Sequence, residues 1–158
     1  MFLTKFVKTI FHLVFATSDK RVSIYINALH YSKKNEMPRL GMILSRRLQR
    51  HYGVFLPYEA SFDSSLELKH PCGIIIGEGV IIGRNVKIFQ NVTLGRSDID
   101  IPEYPKIGEN VVICAGAVVL GGIEVGNNSI IGANAVVNKD VPDNSIAIGV
   151  PAKNRLRI

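Results

Sequence analysis

The sequence predicts a mainly β protein: a parallel β-helix of six-residue repeats, preceded by a short N-terminal α-helical segment. Three observations predict it: an aliphatic residue recurs at every sixth position, glycine and asparagine occupy the turns between, and basic residues are concentrated in the first third. The 158 residues suffice for one domain with a small appendage. We therefore place the helical segment at 1–53 and the β-helix at 54–158.

The six-residue period runs through most of the second part. Its positions hold branched aliphatic residues, which are Ile76, Ile82, Ile88 and Leu94 and, after an interruption, Ile107, Ile113, Val119, Val125, Ile131 and Val137. Phe62, Leu68 and Ile74 fit the same period after a two-residue slip. Such a repeat is typical of a solenoid in which each hexad forms a short strand and a turn, and three hexads close one triangular coil. Antiparallel hairpins need no common period, so we expect the aliphatic positions to form one internal column.

Helical periodicity predicts three helices in the first part. An amphipathic helix covers Met1 to Thr17, a second helix covers about 20–33 with Ser18 or Asp19 as its cap, and a third covers about 37–51. The third helix is expected to direct its apolar residues inward and its basic residues outward. The inward set is Met42, Ile43, Leu44 and Leu48, and the outward set is Arg46, Arg47 and Arg50.

Residues 1–53 carry ten basic and two acidic side chains, a net charge of +8, against −2 for the remainder. A basic helix pair commonly presents a solvated face while it packs on the main domain or a neighbouring subunit; contact with an anionic membrane is the alternative. No aromatic and basic interleaving or zinc-finger spacing accompanies the charge, so we expect no nucleic acid partner.

Cys72 and Cys114 show neither a disulfide framework nor metal-ligand spacing. We expect free thiols, no metal and a cytoplasmic location, with the inner face of the membrane as the alternative.

Four stretches carry a family resemblance. They are Lys69-His-Pro-Cys-Gly-Ile-Ile-Ile-Gly-Glu78, Asn85-Val-Lys-Ile-Phe-Gln-Asn-Val-Thr-Leu-Gly95, Tyr104-Pro-Lys-Ile-Gly108 and Ile148-Gly-Val-Pro-Ala-Lys153. Together they resemble the hexapeptide-repeat acyltransferases, and within them the serine O-acetyltransferase branch, over about residues 50–158. The resemblance implies a left-handed parallel β-helix, a homotrimer, and acetyl-CoA as a cosubstrate held between adjacent subunits, with no permanently bound cofactor.

The resemblance places the catalytic base at His70. An alcohol is a poor nucleophile while protonated, and a neutral imidazole is suited to take its proton. The resemblance also implies acetyl-CoA contacts for Ala115, Ala133, Asn138, Lys139 and Lys153. The acceptor is expected near Lys69, Gln90, Glu103 and Tyr104, because the polar insertion Arg96–Lys106 and His70 should face the same region.

The acceptor side departs from the family pattern. An acidic residue that orients the base is usual where this chain has Phe55, an aspartate is usual at Lys69, and an arginine–histidine pair is usual at Glu103 and Tyr104. These changes of charge favour a sugar hydroxyl of a surface-polysaccharide precursor as the acceptor. L-Serine, or a non-catalytic β-helix scaffold, is the alternative. A backbone carbonyl or a carboxylate, such as that of Glu59 or Glu67, would then orient His70.

Overall fold

The computed structural model describes residues 17–156, in which two helices come first. Helix α1 spans Ser18–Lys34 and helix α2 spans Pro38–Tyr52. The predicted helix over Met1 to Thr17 lies outside the described residues except for its last residue. Thr17 is the N-cap of α1, so the predicted cap at Ser18 or Asp19 is wrong: both residues belong to the first helical turn.

The inward face of α2 differs from the prediction. Leu48 is buried and the arginines are exposed as expected, but Met42 and Ile43 are 43% and 50% exposed. Gly41 takes the inner position, because the Tyr58 ring occupies the space where a β-carbon at residue 41 would lie. The helix backbone therefore approaches the first coil at Gly41. Because Gly41 faces the coil, the rotation of the helix about its axis places Met42 and Ile43 on the outward side.

Fourteen short strands follow within the described residues. They are β1 (Ser61–Phe62), β2 (Glu67–Leu68), β3 (Ile75–Ile76), β4 (Ile81–Ile82), β5 (Lys87–Ile88), β6 (Thr93–Gly95), β7 (Lys106–Ile107), β8 (Val112–Ile113), β9 (Val118–Leu120), β10 (Glu124–Val125), β11 (Ile130–Ile131), β12 (Val136–Val137), β13 (Ser145–Ile148) and β14 (Lys153–Leu156). Three parallel sheets result: sheet 1 is β1-β4-β7-β10, sheet 2 is β2-β5-β8-β11-β13, and sheet 3 is β3-β6-β9-β12. Consecutive strands visit the sheets in turn, so three strands make one coil of a triangular prism. The predicted β-helix is confirmed.

The aliphatic column fills the inside of this prism. All ten positions predicted between Ile76 and Val137 are at most 3% exposed. Neighbouring coils stack in register, with Ile76 beside Leu94 and Leu94 beside Val119. Burial of each such side chain contributes roughly 1.5–3 kcal/mol to folding, so the column holds consecutive coils in a fixed stack.

The predicted slip lies at the corner between β2 and β3. Leu68 pairs with Ile88, 20 residues away, whereas Ile75 pairs with Thr93, 18 residues away. The corner thus has two extra residues. Within it His70 has a φ of 49°, in the left-handed region that non-glycine residues rarely adopt. Other β-helix residues in this region are asparagines and glycines, which tolerate it better.

Residues 96–105 connect β6 to β7 outside the repeat. Lys106 begins β7, so the insertion is one residue shorter than predicted. At the far end, Lys153–Leu156 pairs antiparallel with Ser145–Ile148 and extends sheet 2. No helix within residues 17–156 is both long enough and apolar enough to cross a lipid bilayer.

Candidate active site

One corner of the prism carries most of the predicted residues. The chain passes from sheet 2 to sheet 3 there four times, at residues 69–74, 89–92, 114–117 and 132–135. We call this the His70 corner. Four predicted residues stack along it, one per coil: His70, Gln90, Ala115 and Ala133.

Backbone hydrogen bonds fix the spacing of this stack. The Asn91 amide donates to the Cys72 carbonyl, and the Gly116 amide donates to the Gln90 carbonyl, at 2.9 and 3.0 Å. Lys153 lies at the other end of the same corner, because it pairs with Ile148, the last residue of β13. The repeat therefore aligns the predicted base with four predicted ligand contacts on one rigid edge.

The His70 side chain is exposed in an open cavity of about 520 Å³ between the β-helix and the start of α1. The cavity is also lined by Asp19, Pro71 and Cys72. The His70 amide donates a hydrogen bond of 3.1 Å to Oδ1 of Asp19. From the sequence, Asp19 was expected only as a helix cap, since no local pattern links residues 51 positions apart. Sequence reasoning therefore missed the carboxylate of Asp19 as a neighbour of His70.

Lys69 and Glu67 form an ion pair, with Nζ 2.6 Å from Oε2. Their hydrogen bond raises the pKa of Lys69 and lowers that of Glu67. The nearby charge of Asp19 also raises the pKa of Lys69. The ammonium of Lys69 therefore interacts with two carboxylates. Glu67 forms its ion pair with Lys69 and is not placed to orient His70.

Glu59, the other carboxylate proposed to orient the base, lines a different cavity of about 260 Å³, together with Phe55, Arg46 and Pro57. Gln90 is a better placed polar group, because it lies on the next coil of the His70 corner. Its Oε1 is buried and has no hydrogen-bond partner among the described residues. A buried acceptor of this kind usually has a partner, so Gln90 retains an unused hydrogen-bonding site beside the predicted base.

Tyr104 and Glu103 lie at another corner, between sheets 3 and 1, as do Asn138 and Lys139. The Tyr104 ring packs on Gly77, where an added β-carbon would lie 2.5 Å from its Cε1. The prediction that His70 and the insertion face the same region is wrong within one subunit. Each strand turns the chain by a third of a circle, and the insertion follows a strand of sheet 3 whereas His70 follows one of sheet 2.

Comparisons with known proteins agree with this geometry. Residues 104–139 match the family described as bacterial transferase hexapeptide (six repeats). A serine acetyltransferase structure in complex with CoA superposes with a TM-score of 0.77 and 33% identity, over 91% of this chain and 60% of that one. The chain is therefore similar in sequence and in fold to hexapeptide-repeat transferases. Soybean serine acetyltransferase complexed with serine superposes with a TM-score of 0.79 and 30% identity, over the same 91% and 60%.

Curated relatives of the chain bear the name serine acetyltransferase. The serine acetyltransferase of Buchnera aphidicola (subsp. Acyrthosiphon pisum) is 40% identical over 126 residues, which is 78% of this chain and 46% of that protein. The chain spans about half the length of the curated relatives it matches.

The predicted sugar or surface-polysaccharide acceptor is wrong, because the relatives at 34–44% identity are named serine acetyltransferase and a similar structure contains serine. The prediction failed because it counted the charges of Lys69, Glu103 and Tyr104 in isolation. In the fold, Glu67 pairs with Lys69, and Asp19 brings a further carboxylate to His70.

Proposed function

We propose that this chain is an acetyl-CoA-dependent serine O-acetyltransferase in which His70 is the general base. The observation that carries the proposal is the His70 corner itself. An exposed imidazole stands in an open cavity at one end, and Gln90, Ala115, Ala133 and Lys153 follow along one edge. An extended acyl carrier fits such an edge, since a linear ligand needs a linear series of contacts.

The proposed reaction is a direct transfer. The His70 imidazole takes the proton of the serine hydroxyl as the oxygen attacks the thioester carbonyl. Backbone N–H groups of the corner stabilise the oxyanion of the tetrahedral intermediate. The carbon–sulfur bond then breaks, and the imidazolium returns the proton to the departing CoA thiolate. Atoms and charge balance without an acyl-enzyme.

The charges around His70 support an amino acid as the acceptor. The carboxylate of Asp19 accepts the His70 amide hydrogen bond, and the ammonium of Lys69 lies near enough to Asp19 to feel its charge. An α-amino acid carries one group of each sign on a single carbon. The proposed pose sets the α-ammonium of serine toward Asp19 and its α-carboxylate toward Lys69, with the hydroxyl left for His70.

The full chain should release CoA from acetyl-CoA when L-serine is added, because the His70 imidazole is placed to take the proton of the serine hydroxyl. Thiol release is followed with a chromogenic disulfide, and O-acetylserine is identified by mass spectrometry. L-Alanine is the matched control, since it has the same zwitterion without the hydroxyl and should give only background hydrolysis. Equal rates with serine and alanine would reject serine as the acceptor.

The assembly proposed is a homotrimer. The predicted acetyl-CoA residues divide between two corners of one prism, with Ala115 and Ala133 at the His70 corner and Asn138 and Lys139 at the next. If the corner with Asn138 and Lys139 in a neighbouring subunit lay against the His70 corner, the two sets of predicted acetyl-CoA residues would come together. We expect light scattering to give three times the 17.4 kDa chain mass at micromolar concentration. A fully active monomer would contradict this assembly.

A further inference from the structure

The outer surface of the helical hairpin combines cationic and aliphatic side chains in one stripe. On α2, Arg39, Ile43, Arg46 and Arg50 follow one another at spacings of four, three and four, which places them on one side of a helix. The buried residues Gly41 and Leu48 lie on the opposite side. The stripe is about 16 Å long at 1.5 Å per residue, and all four of its side chains are exposed.

Helix α1 adds a second stripe of similar character. Lys20, Ile24, Asn27, Tyr31 and Lys34 recur at spacings of four and three, and all are exposed. Ile24 is 47% exposed and Tyr31 is 61% exposed, which is unusual for apolar side chains on a helix that packs on a core.

A groove of about 350 Å³ separates the two stripes and continues their apolar character. Its lining includes Ile24, Tyr25, Ala28 and Leu44. The two stripes and this groove together form what we call the hairpin face.

The stripe residues Lys20, Lys34, Arg39, Arg46 and Arg50 take part in none of the ion pairs that join described residues. The ion pairs given by the described residues join Lys69 to Glu67, Arg84 to Glu109 and Lys106 to Glu124, all on the β-helix. Glu59 lines a cavity with Arg46, and Glu36 lies three residues before Arg39 in the turn ahead of α2. Helix α2 itself holds four arginines and no acidic residue.

We propose that the hairpin face binds the surface of an anionic lipid bilayer. Cations are drawn to acidic headgroups, and each adds to binding near the surface. The tips of Ile24, Ile43 and Tyr31 can then enter the boundary between headgroups and acyl chains. A nucleic acid would use the arginines but would leave the aliphatic tips in water, so a bilayer fits the combination better. The inference is independent of the proposed reaction.

Vesicle sedimentation of the full chain tests the proposal. Binding is expected to phosphatidylcholine vesicles that contain phosphatidylglycerol and not to phosphatidylcholine alone. It should weaken as salt rises, because the Debye length falls from about 10 Å at 0.1 M to about 3 Å at 1 M. Arg46→Gln with Arg50→Gln should lower partitioning about tenfold or more. Ile43→Ser should lower it at every salt concentration, since its contribution is apolar.

The matched control is Lys87→Gln with Lys106→Gln, which removes two charges from the β-helix. It should bind vesicles like the parent chain. If both double variants lost vesicle binding equally, the effect would come from net charge alone and the proposal would be overturned. Full vesicle binding by the arginine variant would also overturn it. A changed subunit number for Ile43→Ser would assign the face to contacts between copies. A large drop in the melting temperature of Ile43→Ser would show that other residues of the same chain cover the hairpin face. Either result overturns membrane docking.

Discussion

Replacement of His70 by alanine should lower kcat by about 10²–10⁴, the usual contribution of a general base. The acetyl-CoA dissociation constant should change little, because the proposed carrier contacts lie on later coils of the same edge. Initial rates, with CoA binding measured by calorimetry, supply the readout.

A second variant at residue 70 is needed because the His70 backbone has a positive φ. Its φ of 49° is unfavourable for alanine, so His70→Ala carries a structural cost besides the lost base. His70→Asn avoids this cost, since asparagine occupies the same region at Asn85, Asn91 and Asn110. His51→Ala, at an exposed histidine of α2, is the control and should keep parental activity. If His70→Asn folds and retains most of the parental activity, the assignment of the base is wrong.

Asp19→Asn should raise KM for L-serine by about 10- to 100-fold while KM for acetyl-CoA stays near the parent value. The amide oxygen can still accept the hydrogen bond from the His70 amide, so the substitution removes charge and keeps the contact. A neutral group would bind the α-ammonium more weakly than a carboxylate does. Steady-state kinetics with each substrate varied in turn measure the two constants.

Asp63→Asn is the matched control for this variant. Asp63 also accepts a backbone amide hydrogen bond, from Ser65 at 2.9 Å, but it lies between β1 and β2, away from the His70 corner. Its variant should leave both KM values unchanged. A fall in kcat for Asp19→Asn without any rise in KM for serine would mean that Asp19 positions the His70 backbone and does not bind the acceptor.

The repeat region shows how far a periodic sequence determines structure. Because every hexad has the same requirement, one buried aliphatic residue per strand, the period predicted the column from Ile76 to Val137 and a two-residue slip between the earlier register of Phe62 and Leu68 and the register that starts at Ile76. The repeat spacing placed Gln90 one coil after His70, since a fixed repeat length converts sequence spacing directly into stacking. Contacts between neighbouring regular coils join residues a fixed 18 positions apart, and they could be predicted for that reason.

The helices were predicted less completely. The bounds of the two described helices followed from periodicity to within two residues. The facing of α2 did not, since the Tyr58 ring against Gly41 decides which side turns inward. Met42 and Ile43 were expected inside because apolar residues usually are, whereas a contact between two separate elements set the rotation of the helix. That rotation also creates the hairpin face.

The sequence by itself determined the β-helix, its register and the position of the predicted base. Only the tertiary structure decided the charge environment of that base. Asp19 reaches His70 across 51 residues, and Glu67 binds the ammonium of Lys69 within the same coil. The insertion with Tyr104 also lies one corner away from His70. Hydrophobic burial repeats along the chain with a fixed period, so it can be predicted from the sequence. Electrostatic interaction depends on distance in space and acts between residues that no sequence period connects.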